Sequence, residues 1–153
     1  MKKQQRIKKY WNFEFAPTDK TEERVKEEIK AVMKNSVEHH MIADVPVGAF
    51  LSGGIDSSII TTLMQEIRGD KKIKTYTVGF DTLTEAREAK ETSSFLGTDH
   101  TEITVGPDEY FESLKKIVWH FDEPVADPSA VGLYFLAKEA RKSVKVVLSG
   151  EGS

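Results

Sequence analysis

Apolar residues along the chain alternate between short continuous runs and sets spaced three or four residues apart. Continuous runs are typical of buried strands, and the spaced sets are typical of helices that bury one face. Strand and helix alternation predicts an α/β fold, a Rossmann-like parallel sheet with helices on both faces. The predicted strands are Val45–Leu51, Ile73–Phe80, His100–Val105 and Val144–Ser149, and the predicted helices between them are Ile55–Arg68, Glu85–Leu96, Pro107–Phe121 and Ser129–Lys142.

One further amphipathic pattern precedes the first strand. Apolar side chains recur at helical spacing from Val25 to Val37 in a strongly charged stretch, which predicts a helix that ends near His40. The pair Thr18–Asp19 offers the N-cap of this helix, since both side chains accept hydrogen bonds from backbone N–H groups. Gly69 and Gly97 stand where the C-caps of two later helices are expected.

Length and charge narrow the class of protein. The chain of 153 residues suits one domain or part of a larger one. Its net charge of −3 gives no general attraction to nucleic acid or to acidic membranes. The Lys-rich residues 1–9 are expected to be a solvated linker or tail. No apolar run approaches the ~20 residues of a membrane span, and the absence of cysteine fits a cytoplasmic protein.

The hexapeptide Ser-Gly-Gly-Ile-Asp-Ser at positions 52–57 joins a predicted strand to a predicted helix. Backbone N–H groups of such a turn and the dipole of the following helix point at one place, which makes an anion site. Gly53 and Gly54 are expected to let the main chain approach a phosphate and to take φ values closed to other residues. Ser52 and Ser57 add hydroxyl donors. Asp56 would repel a phosphate unless a cation lies between them, which indicates magnesium bound through pyrophosphate.

A plain Ser/Gly turn between a strand and a helix is the alternative interpretation of this loop. The complete hexapeptide, placed between a buried strand and a helix, favours a site for Mg-pyrophosphate. The chain contains no G-x-x-x-x-G-K-[ST] motif, and no G-x-G-x-x-G opens the first helix after a strand. The P-loop and the dinucleotide-binding loop are therefore excluded as interpretations of the Ser52–Ser57 segment.

Two more motifs lie at the carboxyl ends of predicted strands, one around Val78 and one at Ser149-Gly150-Glu151. Ligands of parallel sheets bind at the carboxyl ends of the strands, near a switch point in strand order. A turn this small brings the backbone and the carboxylate of Glu151 up to an α-phosphate or an acyl group. An ordinary acidic turn residue is the alternative for Glu151.

An acidic cluster, formed by Asp122, Glu123 and Asp127, is stiffened by neighbouring prolines. It can hold a second magnesium ion, shape an amino-acid pocket or form a structural loop, so we assign it no role. The four histidines show no convincing metal-ligand spacing.

Several separated motifs resemble one enzyme family in the order in which they occur. The Ser52–Ser57 loop resembles the pyrophosphate loop of the ATP pyrophosphatases, enzymes that cleave ATP between the α and β phosphates. The resemblance runs from about Tyr10 to the last residue. The segments that narrow it to the synthetase domain of glutamine-dependent asparagine synthetases are Val45–Gly48, Tyr76–Phe80, Asp122–Pro128 and Val147–Ser153.

This resemblance implies an adenine nucleotide alpha hydrolase-like fold and an ATP-dependent amide ligase. The implied reaction converts aspartate to asparagine through β-aspartyl-AMP, with ATP and Mg²⁺ as cofactors and with ammonia taken from glutamine. Glu151 is the implied catalytic residue, and Asp56 is the implied partner of magnesium. The implied ATP and pyrophosphate contacts are Leu51, Ser52, Gly53, Gly54, Asp56, Ser57, Val78, Ser149 and Gly150.

The resemblance also implies a domain arrangement. Residues 1–17 would be a linker from an N-terminal glutaminase domain, and residues 18–153 would be the N-terminal part of the synthetase domain. We expect such a fragment to be inactive alone and to bind small molecules rather than nucleic acid or membrane. We leave open whether it forms a homodimer. Another ligase of the group, such as a β-lactam, GMP or NAD synthetase or a tRNA-modifying enzyme, is one alternative, and an inert nucleotide-binding fragment is another.

Overall fold

The computed structural model describes residues 6–80, 85–124 and 126–150. The predicted alternation of strands and helices is confirmed, and the bounds of α2, α3 and α4 agree with the prediction. The elements are α1 (Glu22–His40), β1 (Val47–Phe50), α2 (Ile55–Arg68), β2 (Lys74–Phe80), α3 (Glu85–Leu96), β3 (Asp99–Val105), α4 (Pro107–Phe121), α5 (Ser129–Ala140) and β4 (Val146–Leu148). None of the described helices is long and apolar enough to cross a membrane.

Helix α1 begins later than the sequence predicted. Its N-cap is Thr21, whose hydroxyl accepts from the N–H of Arg24 at 3.3 Å. The hydroxyl of Thr18 instead accepts from the N–H of Lys20 at 3.3 Å, a local turn that competes with helix capping. The predicted cap at Thr18–Asp19 is therefore wrong, because another threonine follows close behind and takes that role.

The apolar pattern predicts some of the later elements to be longer than they are. Strand β1 is shorter than the predicted Val45–Leu51, and Val45 is exposed. Helix α5 stops at Ala140, two residues before the predicted end. Gly69 and Gly97 have φ values of 65° and 69°, in the left-handed region that favours glycine, so the helix C-caps predicted at these two positions are confirmed.

The four strands of the described residues are all parallel and lie in the order β3-β2-β1-β4. The chain moves outward from β1 to β2 and β3 and then returns to the other side of β1. The carboxyl ends of β1 and β4 therefore flank the point where the strand order reverses, which is where open α/β sheets bind ligands.

Helices cover both faces of the sheet, as predicted. On one face, Val47 and Ala49 of β1 pack with α1 and α2 around the fully buried Met64. On the other face, Val78 and Phe80 of β2 pack with α4 and α5. These two apolar layers hold the sheet in place, and the loop that follows β1 and the residues Ser149 and Gly150 that follow β4 lie at its carboxyl edge.

Candidate functional site

The loop after β1 is organised by one buried hydroxyl. Ser57 is only 7% exposed, and its Oγ accepts from the N–H of Ser52 at 3.1 Å. The same oxygen lies 2.9 Å from Ser52 Oγ and donates to the Gly54 carbonyl at 3.2 Å. Ser52 Oγ also accepts from the N–H of Gly54 at 3.1 Å. These bonds close the loop on itself, so Ser57 fixes the shape of the loop without the help of a ligand.

Helix α2 starts from this loop with no capping side chain among the described residues. Gly54 is its N-cap, with φ −77° and ψ 154°, and supplies no polar atom beyond its backbone. The first backbone N–H groups of a helix have no partner within the helix, and the macrodipole places partial positive charge there. The start of α2 can therefore bind an anion such as a phosphate group.

The expected φ values of the two loop glycines are wrong. Gly54 has ordinary extended angles, and Gly53 is not among the described residues with positive φ. The structure gives Gly53 a different reason to lack a side chain, because a Cβ there would lie 2.9 Å from the Cβ of Glu88 on α3, an atom fixed to the helix. The need for glycine at position 53 therefore arises from close packing against α3 and not from an unusual backbone conformation.

Gly150, which follows β4, lies against the first turn of α2. A Cβ on Gly150 would approach the backbone nitrogen of Ser57 to 2.6 Å and the carbonyl carbon of Asp56 to 2.8 Å. Real Cβ atoms do not come this close to backbone. Glycine at this position is therefore what allows the end of β4 to cross the start of α2.

A cavity of about 330 Å³ opens at the carboxyl ends of β1, β2 and β4. Helix α5 closes one side of it with Gly132, Leu133 and Leu136, which gives an apolar wall opposite the polar loop. Of the predicted ATP and pyrophosphate contacts, Gly53 does not line the cavity. The predicted contacts that do line it are Leu51, Ser52, Gly54, Asp56, Ser57, Val78, Ser149 and Gly150.

The backbone of Val78 faces this cavity. The Ile73 carbonyl accepts from Asp99 at 2.8 Å and the Tyr76 carbonyl from Leu51 at 2.9 Å. Main-chain groups of successive strand residues point to opposite neighbours, so odd-numbered residues of β2 face β3 and even-numbered residues face β1. Within the described chain no backbone hydrogen bond joins Val78 to Leu51, where β1 has ended. The N–H and C=O of Val78 are therefore directed to the space beyond β1.

Asp56 is the one predicted magnesium partner. Its exposed carboxylate lies in the first turn of α2 and lines the cavity, where the helix dipole favours negative charge. The described residues contain no group of three or more acidic, histidine or cysteine side chains that could hold a metal. This donor set fits a magnesium ion that binds one carboxylate and takes its other ligands from phosphate oxygens and water.

Other candidates lie elsewhere or have local roles. Glu151 is outside the described residues, so its placement stays a prediction. In the acidic cluster, Asp122 has a left-handed φ of 61° and ends α4. Asp127 accepts from the N–H of Ser129 at 2.9 Å, and this bond lowers the pKa of the Asp127 carboxyl. Asp122 thus forms the end of α4, and Asp127 stabilises the start of α5.

The sequence interpretation missed three contributors to the site. Gly132 allows α5 to approach β2, since a Cβ there would lie 3.2 Å from Cγ1 of Val78. Glu88 packs on the loop at Gly53. Thr77 is buried and donates its hydroxyl to the carbonyl of Leu51. A threonine inside a strand pattern was the only signal for this last contact, and β-branched residues favour strands for other reasons.

The fold belongs to the adenine nucleotide alpha hydrolase-like class. The structure of NMN synthetase from Francisella tularensis superposes with a TM-score of 0.50 at 18% sequence identity. The superposition covers 84% of this chain and 54% of that protein.

Within this class the chain belongs to the asparagine synthase family, whose family model matches residues 28–153. It is 47% identical, over 96% of its length, to asparagine synthetase [glutamine-hydrolyzing] 1 of Bacillus subtilis (strain 168). It is 50% identical, over 83% of its length, to a putative asparagine synthetase of Mycobacterium tuberculosis (strain ATCC 25618 / H37Rv). The chain spans 23% and 20% of these two relatives, respectively.

Proposed function

We propose that the chain is the nucleotide-binding part of an ATP-dependent amide ligase that makes asparagine from aspartate. The observation that carries this proposal is the cavity at the switch point, where a loop closed by Ser57, the start of α2 and the open edge of β2 meet. Membership of the asparagine synthase family supports the choice of amidation among the reactions of this class.

The proposed position of ATP follows the polarity of the cavity walls. The base lies in the apolar part beside α5, against the main chain of Leu51 and Val78. The β and γ phosphates lie over the loop of Ser52, Gly53, Gly54 and Ser57, where the start of α2 favours negative charge. Ser149 and Gly150, at the end of β4, lie beside the α-phosphate.

The proposed reaction has two steps. An oxygen of the aspartate side-chain carboxylate bonds to the α-phosphorus, the bond from that phosphorus to the bridging oxygen breaks, and pyrophosphate leaves. Ammonia then bonds to the acyl carbon, the carbon–oxygen bond to AMP breaks, and the nitrogen loses a proton. We assign Glu151 to the adenylation step, with a further role in accepting that proton. Adenylation replaces a poor leaving group by a phosphate ester that departs readily.

The residues of the chain supply binding and charge balance for this reaction. Loop N–H groups hold the departing pyrophosphate, and the start of α2 stabilises its negative charge. Magnesium, when bound at Asp56 through phosphate oxygens, would neutralise part of the charge on pyrophosphate. In the larger protein, residues 1–17 would link a glutaminase domain, which delivers ammonia from glutamine, to the domain that begins at residue 18.

Calorimetry of Mg-ATP binding to the purified chain tests the nucleotide site. Gly54→Val places a branched side chain at the start of α2, inside the cavity, and is expected to weaken ATP binding at least tenfold, about 1.4 kcal/mol. Removing magnesium with EDTA should also weaken binding to the unchanged chain, because Asp56 then faces the phosphates alone.

Gly106→Val is the matched control for that experiment. Gly106 is the N-cap glycine of α4, with φ −78° and ψ 164°, and a Cβ there would meet nothing within 4 Å. Its variant should bind Mg-ATP like the unchanged chain. Equal affinity for the Gly54 and Gly106 variants would show that the start of α2 is not the phosphate site.

A chimera tests the reaction and the role of Glu151. The chain replaces the matching segment of the Bacillus subtilis relative, and exchange of labelled pyrophosphate into ATP is measured with and without aspartate. Exchange that depends on aspartate supports the adenylation step, and Glu151→Ala should lower it by on the order of a hundredfold, as expected when a transition-state contact is lost. Unaltered exchange in that variant would make Glu151 a turn residue only.

A further inference from the structure

We infer that Thr77 is a positioning residue for nucleobase recognition, because its hydroxyl holds the carbonyl of Leu51 and leaves the N–H of Val78 open to the base. The inference rests on the proposed ATP site. It adds a residue that neither the family membership nor the loop motif assigns.

The argument begins with the order of hydrogen bonds between β1 and β2. The N–H of Leu51 donates to the Tyr76 carbonyl at 2.9 Å, which extends the parallel ladder one residue past β1. In a parallel ladder the next bond would run from the N–H of Val78 to the carbonyl of Leu51. This bond does not form within the described chain, and the paired register stops at Phe50 and Tyr76.

A side chain replaces the missing bond. The buried hydroxyl of Thr77 donates to the Leu51 carbonyl. Side chains of a strand alternate between faces, so Thr77 lies on the face of Gly79, which packs on Ala86 of α3, and Val78 lies on the α5 face. A carbonyl that accepts from Thr77 therefore tilts out of the sheet plane, towards α3 and away from the line of the Val78 N–H. The Leu51 carbonyl stays satisfied, as a buried acceptor must be.

The two open main-chain groups of Val78 match one base edge. A donor N–H and an acceptor C=O of one residue face the same side, and adenine presents a ring-nitrogen acceptor beside an amino donor. Hypoxanthine, the base of ITP, presents a ring N–H donor beside a carbonyl acceptor, which is the reverse order. An open Val78 thus favours ATP over ITP, and this preference should depend on Thr77.

Hydrogen exchange in the chain without nucleotide tests the ladder directly. Thr77→Val keeps the shape of the side chain and removes its donor, so the Leu51 carbonyl is released to accept from Val78. The Val78 amide should then exchange about tenfold more slowly, because it has gained a backbone partner. Thr77→Ser keeps the hydroxyl and should exchange like the unchanged chain.

Nucleotide binding tests the consequence for recognition. Thr77→Val should weaken Mg-ATP binding about tenfold and reduce the preference for ATP over ITP, while Mg-pyrophosphate binding stays unchanged. Thr77→Ser should restore both ATP affinity and the preference. Thr75→Val is the matched control, because Thr75 lies in the same strand and on the same face but bonds Thr98 and His100 at the far end. It should leave the ATP preference unaltered, even if it lowers stability.

Two results would overturn the inference. One is an equal exchange rate for the Val78 amide in the unchanged chain and in Thr77→Val. The other is an equal loss of ATP and pyrophosphate affinity in that variant, which would indicate general loosening of the site. If the unchanged chain bound no ATP, the proposed function would fail, and the exchange rates would still decide the role of Thr77.

Discussion

The two ends of the sheet treat their backbone polar groups in opposite ways. At the amino end, the side chain of Gln65 on α2 donates to the carbonyls of Gly69 at 2.8 Å and Lys71 at 3.2 Å. It also accepts from the N–H of Ile73 at 3.1 Å. At the carboxyl end, the ladder between β1 and β2 stops, and the start of α2 has no capping side chain among the described residues.

Because of this difference, the stability of the fold and the binding of a ligand depend on opposite ends of the sheet. Side chains at the amino end complete hydrogen bonds that folding would otherwise leave unmade, so that end contributes to stability without needing a ligand. At the carboxyl end, the N–H and C=O of Val78 and the first N–H groups of α2 are directed into a cavity, where a ligand can complete their hydrogen bonds. Substitutions at the two ends should therefore have different signatures.

The largest effect is expected from Gly150→Val at the carboxyl end. The new side chain would collide with the backbone of α2 and push β4 away from it, which should lower the free energy of unfolding by about 3 kcal/mol. It should also abolish measurable Mg-ATP binding. Urea denaturation and calorimetry provide the two measurements. The Gly106→Val control should lose up to about 1 kcal/mol of stability and no affinity; similar losses in both variants would contradict the packing seen at Gly150.

A smaller effect, on stability alone, is expected from Gln65→Ala at the amino end. Three backbone groups lose a partner, and the variant should unfold with a free energy lower by about 1–2 kcal/mol. Mg-ATP affinity should not change, because the lost bonds lie at the far end of the sheet. Lys71→Ala alters an exposed side chain in the same turn and should leave both quantities unchanged. A fall in ATP affinity for Gln65→Ala would show that the two ends are coupled.

The smallest effect concerns pH and His100. Burial lowers the pKa of the His100 imidazole from its ordinary 6.5, and Lys90 adds to this while Glu102 opposes it. The unfolded chain therefore takes up a proton more readily than the folded one. Stability from this residue is full above pH 6.5 and falls as the pH drops below that value. His100→Gln should show a shallower decrease in urea midpoint between pH 7.5 and about 5; an unchanged slope would mean that His100 is not responsible.

Much of the fold could be predicted because helix and strand patterns alternate clearly. The start of α2 could be predicted from Gly54 followed by Ile55. Its end could be predicted from Gly69, where a left-handed φ is needed. The start of α1 was not readable, because Thr18 and Thr21 are both capable caps and only the hydrogen bonds of the folded chain distinguish them.

The loop of the candidate site could be located from the sequence, but not its internal bonds. The motif indicates an anion site, yet the contact of Gly53 with Glu88 depends on α3 and the contact of Ser57 with Gly150 depends on β4, and both elements lie far along the chain. Thr77 could not be identified either, since its role depends on the place where β1 stops pairing with β2. Such contacts arise from tertiary packing and leave no local pattern.

The strand order has a consequence for the time at which the cavity is completed during folding. Strands β1, β2 and β3 pair with neighbours close in the chain, whereas β4 pairs with β1 across the intervening segment that contains α2 to α5. Contacts of such high sequence separation form late, because loop closure costs entropy before they are gained. A nucleotide that needs Ser149 and Gly150 would bind only after β4 has paired with β1. By mass action it would then stabilise the docked form of β4 and act as a folding ligand for that strand.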